Sequence, residues 1–191
     1  MPIQPPTLKS GKLVLRPVVE EKDLPVLFGW RNDPTTLFLW SPRYYPVSFE
    51  QFRQEFLDDT VRQGRIQMIV ELEGRIIGTI YFYDYSLNDR NGFLGIYLEP
   101  QATGHGHGVI ALALFLEYLF AYLNLKKVYA NAYNFNPASF KPLEKAGFKL
   151  EGCLEGHRYF QGEYHDQCIY AFYREQLEIV KRILTRRKKS T

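Results

Sequence analysis

Positions 109–123 carry a single charged side chain, Glu117, among fifteen residues. A helix over this stretch is apolar nearly all round, so other elements must enclose it. It is also too short to cross a bilayer, which takes about 20 apolar residues. The chain therefore has to wrap a layered fold around this segment. Its 191 residues suit one domain. A chain of that size buries roughly 70% of its unfolded surface and needs neither disulfide nor metal to fold. Apolar residues at 46% and charged residues at 24% exclude a disordered or collagen-like polymer. Fourteen Tyr and fourteen Phe point to a thick aromatic core or an aromatic-lined cleft.

Two cysteines, Cys153 and Cys168, are too few for a disulfide framework or a four-ligand zinc site. The opening Met1-Pro2-Ile3-Gln4-Pro5-Pro6 has no charged segment followed by an apolar one. The expected compartment is the cytoplasm, with no membrane partner. The net charge of +3 is local in origin, because residues 181–191 hold six bases and no acid. The remaining body carries 18 bases against 21 acids. A basic face for duplex nucleic acid is not indicated; residues 176–191 are a basic tail, read as a solvated end, with a nucleic-acid or membrane-surface arm as the alternative.

Residues 1–11 read as an extended lead-in, and 12–175 as the folded domain. A first strand is expected over 12–16, stopped by Pro17. Asp23 before Leu24-Pro25 is a helix start, and that helix ends near Asp33-Pro34. Ser48 and Gln51 form a capping pattern ahead of Phe49, Phe52 and Phe56 on one helical face. Runs 66–72 and 75–83 read as a hairpin about Gly74, followed by a strand over 93–98 and another over 127–133. Asn136-Pro137 opens a helix that Gly147 closes. Two final strands, near 154–160 and 167–173, flank Gln161-Gly162. The pattern is a mixed α/β sheet.

Between a strand and the apolar helix lies Gln101-Ala102-Thr103-Gly104-His105-Gly106-His107-Gly108. Three glycines let backbone N–H groups approach an anion, and the helix N-terminus adds unpaired donors and a positive dipole end. A pyrophosphate fits. A dinucleotide fingerprint fails because position 109 is Val, and a phosphate-binding P-loop fails because no Gly-Lys-Ser/Thr follows. A tight turn without ligand is the alternative. His105 and His107 have no Cys or acid close in sequence, which speaks against a metal.

Strand, Gln-x-x-Gly-x-Gly and long helix together resemble the coenzyme A loop of GNAT-type N-acetyltransferases. A strand later, Asn136-Pro137-Ala138-Ser139-Phe140-Lys141-Pro142-Leu143-Glu144-Lys145-Ala146-Gly147-Phe148 is similar to the Asn-x-x-Ser…Leu-Glu-Lys-x-Gly-Phe helix of the ribosomal-protein alanine acetyltransferase subgroup. Leu13-Val14-Leu15-Arg16-Pro17, Leu150-Glu151-Gly152-Cys153-Leu154 and Gly162-Glu163-Tyr164-His165-Asp166 extend the likeness from about residue 10 to 175.

The resemblance implies a single-domain, mostly antiparallel twisted sheet with a splayed central strand pair and helices on both faces. It implies transfer of acetyl from acetyl-CoA to an amine by direct attack. The backbone of Tyr97 and Leu98 would then face pantetheine and thioester. Gln101, Gly104, His105, Gly106, His107 and Gly108 would hold the pyrophosphate, and the Asn136 side chain would reach the pantetheine arm. Many members use a Tyr as the acid for the leaving thiolate, but Leu143 stands at that position. The subgroup match assigns the role to Ser139 instead, whose alternative is to satisfy its own helix's first turn. The two carboxylates expected as base read Phe93 and Arg158. Asp33, Asp84, Glu155, His157, Asp166 or water remain, and an apolar Phe93 would favour the free amine by desolvation.

The acceptor wall is expected from the first two helices: Trp30, Arg31 and Asp33, then Phe38, Trp40, Tyr44 and Tyr45, with Arg43 as a second cation. Packing of these aromatics onto the sheet is the competing reading. Trp30-Arg31-Asn32 also resembles GNAT enzymes acting on nucleotide-linked amino sugars. Acceptors in view are a small amine, an amino sugar or a protein N-terminus. A non-catalytic coenzyme A-binding module is the alternative, and a homodimer is one of the allowed states.

Overall fold

A computed structural model describes residues 7–37 and 45–188. In chain order it holds β1 (Leu8–Ser10), β2 (Leu13–Pro17), α1 (Glu20–Asn32) and α2 (Phe49–Leu57). Then come β3 (Ile66–Leu72), β4 (Arg75–Ser86), β5 (Asn91–Leu98), α3 (His107–Tyr122) and β6 (Lys127–Tyr133). The chain finishes with α4 (Pro137–Ala146), β7 (Lys149–Phe160), β8 (Glu163–Tyr173) and α5 (Leu177–Lys188). A π-helical turn, Asp58–Arg62, extends α2. The strands make one sheet in the order β1-β2-β3-β4-β5-β6-β8-β7.

Neighbouring strands are antiparallel except β5 and β6, which run parallel. Those two share one paired position, Phe93 with Tyr129, and then part. The expected splay is thus present at the centre of the sheet. It leaves β5 backbone groups beyond Phe93 without a β6 ladder, and such groups need another partner.

Strand alternation sends side chains to two faces. On β3, Met68 and Val70 join the larger core with Leu15, Ile80, Phe82, Val128 and Phe172, whereas Ile69 joins Leu24, Leu27, Val47 and Phe52. The larger core surrounds α3, whose residues Ile110–Leu116 are all buried, as its near absence of charge requires. The smaller core seats α1 and α2 on the opposite face.

Local chemistry sets the helix ends. Ser48 Oγ accepts the Gln51 N–H at 3.1 Å, the expected cap. Helix α1 begins earlier than expected because Asp23 reaches back to accept the Val19 N–H at 2.7 Å, making Val19 the cap. The hairpin turns at Glu73-Gly74 and Gln161-Gly162 have positive φ at both positions, which matches the twist of the flanking strands.

Two expectations change. Leu8–Ser10 is no free lead-in; it pairs with β2 through Leu8 and Leu15. Residues 177–188 form α5, not a solvated end. Val180 is fully buried and Leu184 nearly so, packed in the larger core, while Lys181, Arg182 and Arg186 are exposed. The tail is an amphipathic helix whose apolar positions are spaced by four, a pattern masked by its charge. Cys153 and Cys168 are cross-strand partners on β7 and β8 and form a disulfide.

Candidate active site

The glycine segment follows a 3-10 turn, Pro100–Ala102, at the end of β5. Gly104 and Gly106 both have φ near 80°, with open space where a Cβ would stand. That conformation rarely suits other residues. Gly106 is the N-cap of α3 and supplies no side-chain cap, so the first-turn N–H groups face the loop as donors. The His107 ring contacts the Ala102 carbonyl at 3.3 Å and Thr103 Oγ1 donates to the Pro100 carbonyl at 2.7 Å. Both contacts hold the loop against the 3-10 turn.

A cleft of about 660 Å³ runs from this loop into the gap between β5 and β6. Near the loop its walls are Thr103, Gly104, Gly106 and Gly108, with Asn136, Ser139, Leu143, Lys141 and Lys145 from α4. The lysines place two cations at the loop end, which suits phosphate groups. Leu98 and Pro142 lie at ordinary contact distance from a Cβ built on Gly108. Farther in, the walls are Leu94, Gly95, Ile96 and Tyr97 from β5, Asn131 and Tyr133 from β6, Tyr81 and Tyr83 from β4, and Thr36.

The structure thus gathers Tyr97, Leu98, Gly104, Gly106, Gly108, Asn136 and Ser139 around one cleft. Gln101, His105 and His107 do not line it. Gln101 and His105 are exposed, and the two His rings lie 5.9 Å apart. Among the described residues, no group of three or more His, Cys, Asp or Glu is placed to hold a metal ion. Asn136 caps α4, accepting the Ala138 N–H at 3.2 Å. The Ser139 hydroxyl donates to the Asn136 carbonyl at 2.6 Å and accepts the Tyr133 N–H at 3.4 Å.

The expected acceptor residues behave differently. Trp30 packs on Tyr97, ring centroids 5.2 Å apart. Arg31 is buried and donates to the Tyr45 carbonyl at 3.2 Å. Asn32 grips Val47 twice, donating to its carbonyl at 2.8 Å and accepting its N–H at 3.0 Å. Asp33 accepts from the Thr35 hydroxyl and N–H, and these bonds hold its carboxyl below the usual range. None of Trp30, Arg31 and Asp33 lines the cleft; the Trp-Arg-Asn run ties α1 to the segment preceding α2. Phe38, Trp40, Arg43 and Tyr44 lie outside the described residues.

No carboxylate lines the cleft among the described residues. Asp166 accepts the Gly156 N–H at 2.9 Å and so braces the β7–β8 ribbon. Phe93 stacks on Tyr129 at 5.2 Å, and the Arg158 guanidinium lies over the Tyr133 ring at 5.2 Å. The inner walls are aromatic and neutral. Burial pushes the Tyr81 and Tyr83 hydroxyls well above their ordinary range, so both stay protonated.

Tyr81, Tyr83, Asn131, Tyr133, Lys141 and Lys145 were not singled out in the sequence. Period-two alternation on β4 and β6 puts Tyr81 with Tyr83, and Asn131 with Tyr133, on common faces. Only the pairing of β4 with β5 and β6 shows that those faces meet.

The fold has counterparts. Residues 12–149 match the acetyltransferase (GNAT) domain family. The chain belongs to the GNAT acetyltransferases. It is an acetyl-CoA-dependent N-acetyltransferase, and the coenzyme is its co-substrate. An uncharacterized N-acetyltransferase of Bacillus subtilis, the SPbeta prophage-derived YokL, is 30% identical over 140 residues, covering 71% of this chain and 77% of that protein. Spermidine N-acetyltransferase from Vibrio cholerae, solved with CoA and spermine, superposes with a TM-score of 0.80 at 23% identity, covering 87% and 98% of the two chains. RimL, a ribosomal L7/L12 alpha-N-protein acetyltransferase solved with coenzyme A, gives 0.78 at 20% identity over 88% and 98%. The fold is therefore shared with GNAT enzymes whose names specify different amines.

Proposed function

We propose that this enzyme acetylates a primary amine at the end of a flexible aliphatic chain, with a polyamine as the leading acceptor. The observation that carries this is the inner cleft, where Tyr81, Tyr83 and Tyr133 present aromatic walls with no carboxylate among the described lining residues. Aromatic faces attract a polyamine's remaining ammonium groups, whereas the neutral end favours a free amine where attack occurs. The nitrogen lone pair forms the N–C bond, and the C–S bond breaks with its electron pair on sulfur. One proton passes from nitrogen to sulfur, giving an amide and a free thiol. Spermine in the complex of the Vibrio cholerae relative supports the same class.

A peptide N-terminus is the second reading, supported by the Ser139 helix motif and by the fold shared with RimL. The amino-sugar reading loses its support, because Arg31 and Asn32 are spent on Tyr45 and Val47. Thiol release from acetyl-CoA with spermidine, an alanine-initiated peptide and a serine-initiated peptide separates these readings. Spermidine is expected to give the highest kcat/KM, and a peptide ahead of it by tenfold would reverse the order.

The coenzyme is assigned to Gly104, Gly106 and Gly108 at its diphosphate and to Tyr97, Leu98 and Asn136 along its pantetheine. Gln101, His105 and His107 belong to the loop framework in this reading. Ser139 is assigned as thiolate partner, its hydroxyl turning from the Asn136 carbonyl toward sulfur. Ser139→Ala should then lower kcat by about 100-fold, as removal of an acid commonly does, with the KM for acetyl-CoA unchanged. A purely local hydroxyl would instead cost about 1 kcal/mol of stability and leave kcat intact.

We place the reaction in the cytoplasm; no described helix is long and apolar enough to cross a membrane. A homodimer is supported by the exposed apolar side chains of the outer strands, Leu150, Leu154, Tyr159 and Tyr164.

A further inference from the structure

We propose that the acceptor nitrogen is held between the Asn131 carboxamide and the Tyr81 hydroxyl, two neutral groups that line the cleft where β5 and β6 begin to part. The inference rests on the reading that this cleft acetylates a primary amine, and it assigns the residues that position that amine.

The geometry follows from register. Phe93 and Tyr129 are the one paired position of the parallel strands, and their rings stack on one face. Two residues farther along each strand, on that same face, stand Gly95 and Asn131. They flank the first open position of the gap. Tyr81 is the cross-strand partner of Gly95 on β4. A Cβ at Gly95 would lie 2.4 Å from Tyr81 Cζ and 2.6 Å from its hydroxyl oxygen. The missing side chain of Gly95 therefore lets the Tyr81 hydroxyl lie directly over β5, beside the gap. The ring is held from elsewhere by Arg65, whose guanidinium sits 4.9 Å from its centroid and pairs with Asp59 at 2.7 Å.

Asn131 supplies the complementary signal. Its side chain lines the cleft, yet Oδ1 is buried and accepts no hydrogen bond among the described residues. Buried carbonyl oxygens are rarely left without a donor. The terminal torsion of Asn is broad, so the amide turns readily toward an N–H entering the gap. An amine offers that N–H and keeps its lone pair for the thioester. The Tyr81 oxygen accepts a second N–H from the opposite side. Two neutral acceptors orient the nitrogen without the ammonium-stabilising charge of a carboxylate, which fits a cleft from which carboxylates are missing at both expected positions, Phe93 and Arg158.

Steady-state kinetics on the full chain, with acetyl-CoA and the more active of spermidine or an alanine-initiated peptide, test this. Asn131→Leu keeps the shape and removes the acceptor atom. It should raise the acceptor KM at least tenfold while the Kd for coenzyme A stays within twofold. Asn131→Asp, which restores an oxygen acceptor, should return that KM to within threefold of the wild type, while its charge, by holding the amine as ammonium, keeps kcat low. Tyr81→Phe keeps the ring and should raise the acceptor KM about fivefold. If Asn131→Leu does not fold, Tyr81→Phe carries the test alone. An unchanged acceptor KM in either variant, a parallel loss of coenzyme affinity, or no rescue by Asp overturns the inference. An inert wild type sinks the amine reading itself, whereas an active wild type with indifferent variants sinks only this assignment.

Discussion

Gly106→Val is expected to raise the Kd for coenzyme A at least 100-fold while the chain still folds. Among the described residues other than its chain neighbours, nothing lies within 4 Å of a Cβ at Gly106, so no packing clash opposes the new side chain. The obstacle is conformational. Gly106 has φ near 80° and caps α3, and a β-branched residue is a genuine outlier there. Holding valine in that state costs about 1–3 kcal/mol. Relaxing it turns the donors of the loop and first helical turn away from the anion. In the proposed assignment the added isopropyl group would also occupy the space through which the diphosphate reaches the backbone. Calorimetric titration with coenzyme A, together with a thermal melt, separates the two effects. A melting temperature lowered by a few degrees with no measurable binding is the expected pair. Wild-type affinity in this variant would show that the diphosphate lies elsewhere. Gly104 has the same φ and the same open surroundings, so Gly104→Val should behave alike.

Asp23→Ala is expected to be the most destabilising single change considered, by about 3–5 kcal/mol. The Asp23 side chain is fully buried. One oxygen accepts from Arg16 Nη1 at 2.7 Å and from the Val19 N–H at 2.7 Å; the other accepts from Arg16 Nη2 at 3.0 Å. Arg16 Nε donates to Glu71 at 2.8 Å, and hydrogen bonding to both carboxylates keeps the guanidinium firmly charged. Removing Asp23 leaves a part-buried cation with half its partners and the Val19 N–H at the start of α1 without its acceptor. For a domain of this size the loss corresponds to a fall in melting temperature of about 10 °C. Chemical denaturation with an unchanged m-value, read as a lower midpoint, measures it. The folded fraction should bind coenzyme A normally, because Asp23 does not line the cleft. A loss below 1 kcal/mol would mean that water replaces the carboxylate and that the site is less enclosed than its burial indicates.

What the sequence disclosed depended on the range of the interactions involved. The glycine loop, the Asn136-Pro137 helix start and the two hairpins were readable because each is fixed by a few consecutive residues. The apolar run at α3 fixed its own burial. Long-range roles were hidden. Arg31 and Asn32 look like acceptor ligands in sequence, yet their partners are carbonyl and N–H groups some fourteen residues onward. The acidity of Asp23 reads as a helix-start signal, while its main partner is a guanidinium on β2. The tail's six bases obscured Val180 and Leu184, whose spacing is helical but whose burial depends on a partner far upstream. The acceptor end was least visible, because Tyr81, Gly95 and Asn131 come from three strands and meet only through register.

The account turns on where an acyl carrier binds. A crystal structure of the protein with coenzyme A decides it: the diphosphate should accept hydrogen bonds from backbone N–H groups of residues 104–108, with the pantetheine entering the gap between β5 and β6 beyond Phe93. Coenzyme density on another surface, or a diphosphate held by side chains while those amides point to solvent, would contradict it.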